Sequence, residues 1–279
     1  MINLCYTCGS CDAECPINRR SKQLSPRKIV RFHLLGYTDE ASNLPEIWYC
    51  VKCGRCGRVC PMGVKPFEVI EESKDHFAKK EPQRSRQLFL LLRDLKIKLQ
   101  QARYKLLQSV LREENISLTD IWNRANDDAR SHEDERLTNP VNVKPSGSSL
   151  EWLFLKYFDL PTDLRRCFTC GSCTNACPVS IKNWIFSPLK IFRMVRWGLI
   201  KEAAMEPGIW LCIDCGRCMD VCPQKVKGLW ILKLLREYAV AEGIVTNTTI
   251  RRWEFLDGEL YRIYNNYIDG FLKNQDNTD

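Results

Sequence analysis

Four copies of one cysteine spacing account for all 16 cysteines of this 279-residue chain. The first is Cys5-x-x-Cys8-x-x-Cys11-x-x-x-Cys15, and the second is Cys50-x-x-Cys53-x-x-Cys56-x-x-x-Cys60. Cys167, Cys170, Cys173 and Cys177 form the third; Cys212, Cys215, Cys218 and Cys222 form the fourth. A proline follows the last cysteine each time: Pro16, Pro61, Pro178 and Pro223. Any fold this chain adopts must gather those thiols, and none is left over to act as a nucleophile.

Two-residue gaps let one turning loop offer three thiolates to a compact inorganic core, while a fourth arrives from another segment. The proline is expected to stop any helix there, because it lacks an N–H donor. Gly9, Gly54, Gly171 and Gly216 follow the second cysteine and permit positive φ, which brings backbone N–H groups to the sulfurs. The spacing is that of [4Fe–4S] sites in bacterial ferredoxins, so four such clusters are expected, with all 16 cysteines as ligands. Structural zinc prefers paired knuckles, often with histidine; His33, His76 and His132 all lie outside the motifs. A disulfide scaffold would be small and led by a signal peptide, and neither is expected here.

The chain is one module written twice. Residues 5–65 align without a gap on 167–227, and 29 of those 61 positions are identical. The register pairs Ser25-Pro26 with Ser187-Pro188, Gly36 with Gly198, and Trp48 with Trp210. Within each copy, the stretch between motifs reads as a helix with Ser at the cap, Pro at its first position and Gly past its end. The module is therefore expected to be mostly helical.

The run C-x-x-C-G-x-C, CP, a Ser-Pro helix ending in Gly, then Trp-x-C-x-x-C-G-x-C-x-x-x-CP resembles the C subunit of heterodisulfide reductase. Similar modules occur in the C subunit of the anaerobic glycerol-3-phosphate dehydrogenase and in the iron–sulfur subunit of succinate dehydrogenase. The resemblance covers about 5–80 and 167–243. It implies a mainly α fold of tandem α-helical ferredoxin domains with crossed ligation. Cys5, Cys8, Cys11 and Cys60 would hold cluster 1, and Cys50, Cys53, Cys56 and Cys15 cluster 2. Cys167, Cys170, Cys173 and Cys222 would hold cluster 3, and Cys212, Cys215, Cys218 and Cys177 cluster 4. The implied setting is a multisubunit redox complex, with a flavin or dehydrogenase subunit on one side and a terminal reductase subunit on the other. A free polyferredoxin shuttle and a peripheral quinone-linked subunit are the alternatives.

Net charge of +8 invites a nucleic-acid reading, but its distribution argues against one. Residues 1–81 carry 13 Lys/Arg against 10 Asp/Glu, and residues 163–243 carry 12 against 7, so the modules hold all the excess. A cluster with four thiolates carries about −2, so four would bring the chain near neutrality. Arg19, Arg20, Lys22, Lys52, Arg55, Arg58, Lys65, Lys182, Arg217, Lys225 and Lys227 lie beside motifs as candidate countercharges.

Domain boundaries are expected at 1–81, a connector over 82–149, a second module over 150–243 and an extension over 244–279. Leu88, Leu92, Leu95, Leu99, Ala102, Leu106 and Val110 form a helical stripe. Ser117 opens a helix through about Ala129, 139–149 read as a joint, and Leu150–Phe158 as a short apolar helix. A last helix over 247–272 is expected to bury Trp253, Leu256, Leu260, Ile263, Tyr264, Tyr267 and Phe271. Trp48 and Trp210 read as packing, and Ile17, Val64, Val179 and Val226 as cluster walls. No apolar run reaches transmembrane length. The expected location is cytoplasmic, with peripheral membrane contact left open, and no bond chemistry is expected.

Overall fold

The computed structural model describes residues 2–125, 162–181 and 185–275, and among these the regular structure is helical with no strand. The joint over 139–149, the Leu150–Phe158 helix and Lys182 lie outside the described residues. Packing divides the chain into two compact units, Met1–Leu99 with Phe255–Asp279, and Gln100–Glu254. Each unit contains one copy of the duplicated module.

The first unit contains α1 (Ser10–Ala13), α2 (Pro16–Ser21), α3 (Pro26–Leu34), α4 (Thr38–Asn43), α5 (Arg55–Arg58) and α6 (Pro66–Lys80). It also contains the start of α7 (Pro82–Leu111). α3 begins as its sequence requires: the Ser25 hydroxyl accepts from Lys28 N at 3.1 Å, and Gly36 past the end takes φ 82°. Asp12, from the first cysteine turn, accepts from both the Ser25 hydroxyl (2.8 Å) and Arg27 N (2.9 Å), fixing that turn to the start of α3. α6 packs across α3 and α4 and buries Val69, Ile70 and Phe77. Trp48 meets Phe77 edge to face at 5.5 Å, so it packs in this core as expected.

α1 ends before Pro16, and Pro16 also opens α2 at its first position, because the missing N–H is among those a helix start leaves unbonded anyway. Cys15 consequently becomes the N-cap residue of α2.

The second unit continues α7 from Gln100 and contains α8 (Leu118–Asn123), α9 (Ser172–Asn175), α10 (Pro188–Arg196), α11 (Ile200–Met205), α12 (Gly208–Leu211), α13 (Arg217–Asp220) and α14 (Gly228–Ala241). α15 (Asn247–Gln275) starts here, and its residues from Phe255 belong to the first unit. Thr174 replaces Asp12 and makes the same clamp, its hydroxyl 3.1 Å from Ser187 Oγ and accepting from Leu189 N at 3.1 Å. Every member of the α7 stripe is buried. Within α8, Ser117 accepts from Asp120 N at 3.3 Å, and the helix ends at Asn123.

The buried face of α15 differs from the expected stripe. Leu260, Tyr261, Tyr264, Ile268 and Leu272 are buried with the polar Asp257 and Asn265, whereas Tyr267 is exposed. Asp257 pairs with Arg20 at 3.0 Å, and Asn265 Nδ2 donates to Gln23 Oε1 at 2.7 Å. Those two partners hold a polar-containing face inward, which an apolar count along the helix does not register.

Candidate metal centres

Each motif is a loop closed by a one-turn helix. Gly9, Gly54, Gly171 and Gly216 take φ between 76° and 85° and cap α1, α5, α9 and α13. The residue before the second cysteine is also left-handed in all four copies: Thr7 (φ 61°), Lys52 (52°), Thr169 (61°) and Asp214 (57°). An ordinary side chain in that conformation is strained by roughly 1–2 kcal/mol, so the surrounding loop must enforce it four times. The strain aims backbone N–H groups inward: Lys52 N donates to Cys50 Sγ at 3.4 Å, and Asp214 N to Cys212 Sγ at 3.4 Å. Val226 N donates to Cys222 Sγ at 3.4 Å. Successive amides arranged this way form a concavity suited to negative charge.

In the first unit the thiols line two cavities. Cys15, Cys50, Cys53 and Cys56 line one, walled by Ile17, Leu24, Phe67 and Ile70. Cys5, Cys8, Cys11 and Cys60 line another, walled by Val30, Val64 and Pro66. Each cavity takes three cysteines from one motif and the last cysteine of the other. In the second unit Cys177 lies near Cys212, and Cys218 lies near Cys212, Cys215 and Cys177. Cys173 neighbours Cys167, while Cys170 is exposed and Cys222 half-buried. Val179 and Val226 are buried.

Burial sets the protonation of the metal-free thiols. It pushes Cys11, Cys15 and Cys177 up to about 12, and Cys50, Cys53, Cys56, Cys173 and Cys218 also upward. Cys8 and Cys170 go the other way, because the hydroxyls of Ser10 and Ser172, each 3.3 Å from the sulfur, favour the thiolate. Among the described residues no group of three or more His, Cys, Asp or Glu gathers as the ligands of a single metal ion would. Thiols ringing an apolar cavity, with amides pointed at sulfur, are what a cluster with iron at separate corners requires. The donor set and cavities fit [4Fe–4S] groups.

Several expected countercharges have carboxylate partners. Arg20 pairs with Asp257, Arg55 with Glu14, Lys52 with Glu71 at 2.9 Å, and Lys65 with Glu68 at 3.0 Å. Their charge is thus partly spent on the protein itself. Three charged residues approach the fourth motif without a sequence signal: two cations and one anion. Arg236 donates to Cys212 O (2.9 Å) and Ile209 O (2.8 Å), Arg103 donates to Leu211 O (3.0 Å), and Asp214 Oδ1 lies 3.7 Å from Cys212 Sγ.

A family model for the 4Fe-4S dicluster domain matches residues 1–64 and 163–226. Both modules thus resemble dicluster iron–sulfur domains, and among the described residues they are built from helices and loops. The chain is 37% identical over 79 residues to the iron-sulfur C subunit of the CoB–CoM heterodisulfide reductase of Methanopyrus kandleri, covering 28% of this chain and 41% of that one. It is 39% identical over 66 residues to a protein of Archaeoglobus profundus that is itself described as like the heterodisulfide reductase C subunit, covering 24% and 35%. It is 37% identical over 78 residues to the C subunit of an H(2):CoB-CoM heterodisulfide,ferredoxin reductase of Methanothermobacter marburgensis, covering 28% and 42%. The chain spans roughly two fifths of the length of these curated relatives. No solved structure matches it.

Proposed function

We propose that this chain is an electron-transfer subunit that relays single electrons through four [4Fe–4S] clusters inside a heterodisulfide-reductase-like complex. Its ligand sets are Cys5, Cys8, Cys11 and Cys60; Cys50, Cys53, Cys56 and Cys15; Cys167, Cys170, Cys173 and Cys222; and Cys212, Cys215, Cys218 and Cys177. The observation that carries the reading is the exchange of last cysteines between the two cavities of the first unit, which ties neighbouring sites together. The clusters supply one-electron redox chemistry. The chain supplies thiolates, N–H groups that favour negative charge at sulfur, and apolar walls such as Ile17 and Val64 that keep water back. The partners are a flavin or dehydrogenase subunit and a terminal reductase subunit, consistent with relatives named as reductase subunits. Sixteen cysteines held as thiolates favour a reducing, cytoplasmic location, with membrane contact at most peripheral. Among the described residues no helix is long and apolar enough to cross a membrane.

The experiment is anaerobic loading followed by iron and sulfide analysis, with as many irons expected as cysteines, 16. Cys15→Ser should abolish the signal of the site built on Cys50, Cys53 and Cys56 and spare its neighbour. Zinc in place of iron, or loss of the neighbouring site alone, overturns the proposal.

A further inference from the structure

The duplication allows the exposed end of each module to be compared position by position. In the first unit, the turn Ile2–Leu4 packs against α3. The surface there is apolar: Leu4, Tyr6, Leu35 and Tyr37 are all exposed, with Arg31 as the accompanying cation. In the second unit, the turn Leu164–Arg166 packs against α10 in the same way. There the equivalents of Asn3, Leu4 and Leu34 are Arg165, Arg166 and Arg196, while Arg193 matches Arg31. Phe168 and Trp197, the equivalents of Tyr6 and Leu35, are 55% and 52% exposed. One arginine at these positions has become four.

Contacts place three of the four arginines. Arg196 donates to Cys167 O, joining the end of α10 to the first residue of the third motif. Arg193 stacks over the Trp197 ring at 4.9 Å. Arg166 makes a long 3.8 Å pair with Asp163, which offsets part of its charge. Cys170 is exposed within the same motif. Exposed Arg and aromatic side chains are the residue types enriched at the energetic centres of protein interfaces. A concentrated positive field also raises encounter rates with negatively charged partners.

We propose that the Arg165–Arg166–Phe168–Arg193–Trp197 surface docks a small acidic electron-carrier protein, which exchanges electrons with the site of Cys167, Cys170 and Cys173. The proposal rests on the relay function above and adds the partner's chemistry and its place of entry. One electron leaves the carrier and enters this chain, or the reverse; no bond forms and no proton moves. The counterpart in the first unit carries Arg31 and an Arg27 that is already paired with Asp12, a weaker field for such a carrier.

The test uses the full chain loaded anaerobically, with a photoreduced small acidic ferredoxin as donor and stopped-flow detection. The second-order rate constant should fall with rising salt, and Arg165→Glu/Arg193→Glu should lower it at least tenfold at low salt. The same double variant should accelerate exchange with a basic c-type cytochrome, and Arg31→Glu should change neither rate. The proposal is overturned if the unmodified chain shows no salt dependence, if the ferredoxin does not react, or if Arg31→Glu produces the same loss. Iron content and reduction by dithionite report separately on the relay reading. Should those hold while the charge variants behave like the parent, docking alone is wrong. If the double variant fails to load, the salt dependence of the unmodified chain decides.

Discussion

Arg236 holds both carboxylate oxygens of Asp214, with Nη1 3.0 Å from Oδ1 and 3.2 Å from Oδ2. In the first copy the same two positions are Lys52 and Lys74, and both pair at 2.9 Å with Glu71. The side chain two residues past the first thiol of the motif is therefore a cation beside Cys50 and an anion beside Cys212. Each large ring keeps its cation, with Lys74 5.8 Å from the Trp48 centroid and Arg236 5.9 Å from that of Trp210. What the duplication changed is the sign of the charge two residues past that thiol.

That inversion predicts different potentials at otherwise equivalent sites. Reduction adds negative charge, so removing the Asp214 carboxylate should favour it. Asp214→Asn should raise the midpoint potential of the site at Cys212, and Lys52→Gln should lower that of the site at Cys50. Each shift should be about 59 mV or less, the size of one tenfold step for one electron. EPR-monitored titration reads both; shifts in a common direction would refute the electrostatic account.

Packing around Cys218 gives a sterically defined variant. A Cβ at Gly228 would stand 2.6 Å from the Phe192 ring and 3.1 Å from Cys218 Sγ. Gly228→Ala must displace one of them, costing about 1–3 kcal/mol as overpacking. The variant should melt earlier and retain less iron at the Cys212 site than the parent. Full loading with an unchanged melt would show that the ring moves aside freely.

Thiol reactivity in the metal-free chain should follow burial and hydroxyl contacts. A lowered pKa means more thiolate at neutral pH, so exposed Cys8 and Cys170 should alkylate first with iodoacetamide. Cys11, Cys15, Cys56, Cys177 and Cys218, all pushed well upward by burial, stay protonated and should react last. Ser10→Ala should slow Cys8 without affecting Cys170. Mass-spectrometric time courses settle the order, and early labelling of Cys15 or Cys177 would contradict it.

The two copies also differ at one strained backbone position. Gly63 has φ 68°, and its equivalent in the register, Lys225, has φ 55°. Nothing lies within 4 Å of a Cβ at Gly63, so conformation alone decides there. Lys225→Gly should stabilise the second unit by roughly 1 kcal/mol, and Gly63→Ala should destabilise the first by a similar amount. Denaturant midpoints measure both, and opposite signs would remove backbone strain as the cause.

What could be read from the sequence was local or repeated. Ser25, Pro26 and Gly36 announce α3 because cap, first position and exit lie within twelve residues, and the α7 stripe from Leu88 to Val110 keeps its helical phase. The cysteine spacing implied grouped thiols, and the family resemblance supplied the exchanged pairing. Long-range partnerships were not legible. Asp257 and Asn265 look like solvent-facing residues until Arg20 and Gln23, over 230 positions away, meet them at 3.0 and 2.7 Å. The left-handed Thr7, Lys52, Thr169 and Asp214 are two threonines, a lysine and an aspartate, none of them a glycine, so only the loop's closure reveals their conformation.

Arg103 combines both kinds of information and gives the most discriminating variant. It is fully buried in the second unit, donates to Gln100 Oε1 at 2.9 Å and Leu211 O at 3.0 Å, and lies 5.8 Å from the Trp253 centroid. Leu211 immediately precedes Cys212, so this guanidinium fixes the approach of the fourth motif and places positive charge beside it. Arg103→Met removes the fork and leaves the Leu211 carbonyl short of a donor, which should cost about 1–3 kcal/mol. Arg103→Lys keeps the charge but cannot reproduce the planar fork, so it should lose stability while holding the potential nearer the parent. A purely structural role predicts that potential stays fixed in both variants while the melts fall. Electrostatic support predicts that only Arg103→Met lowers the midpoint of the Cys212 site.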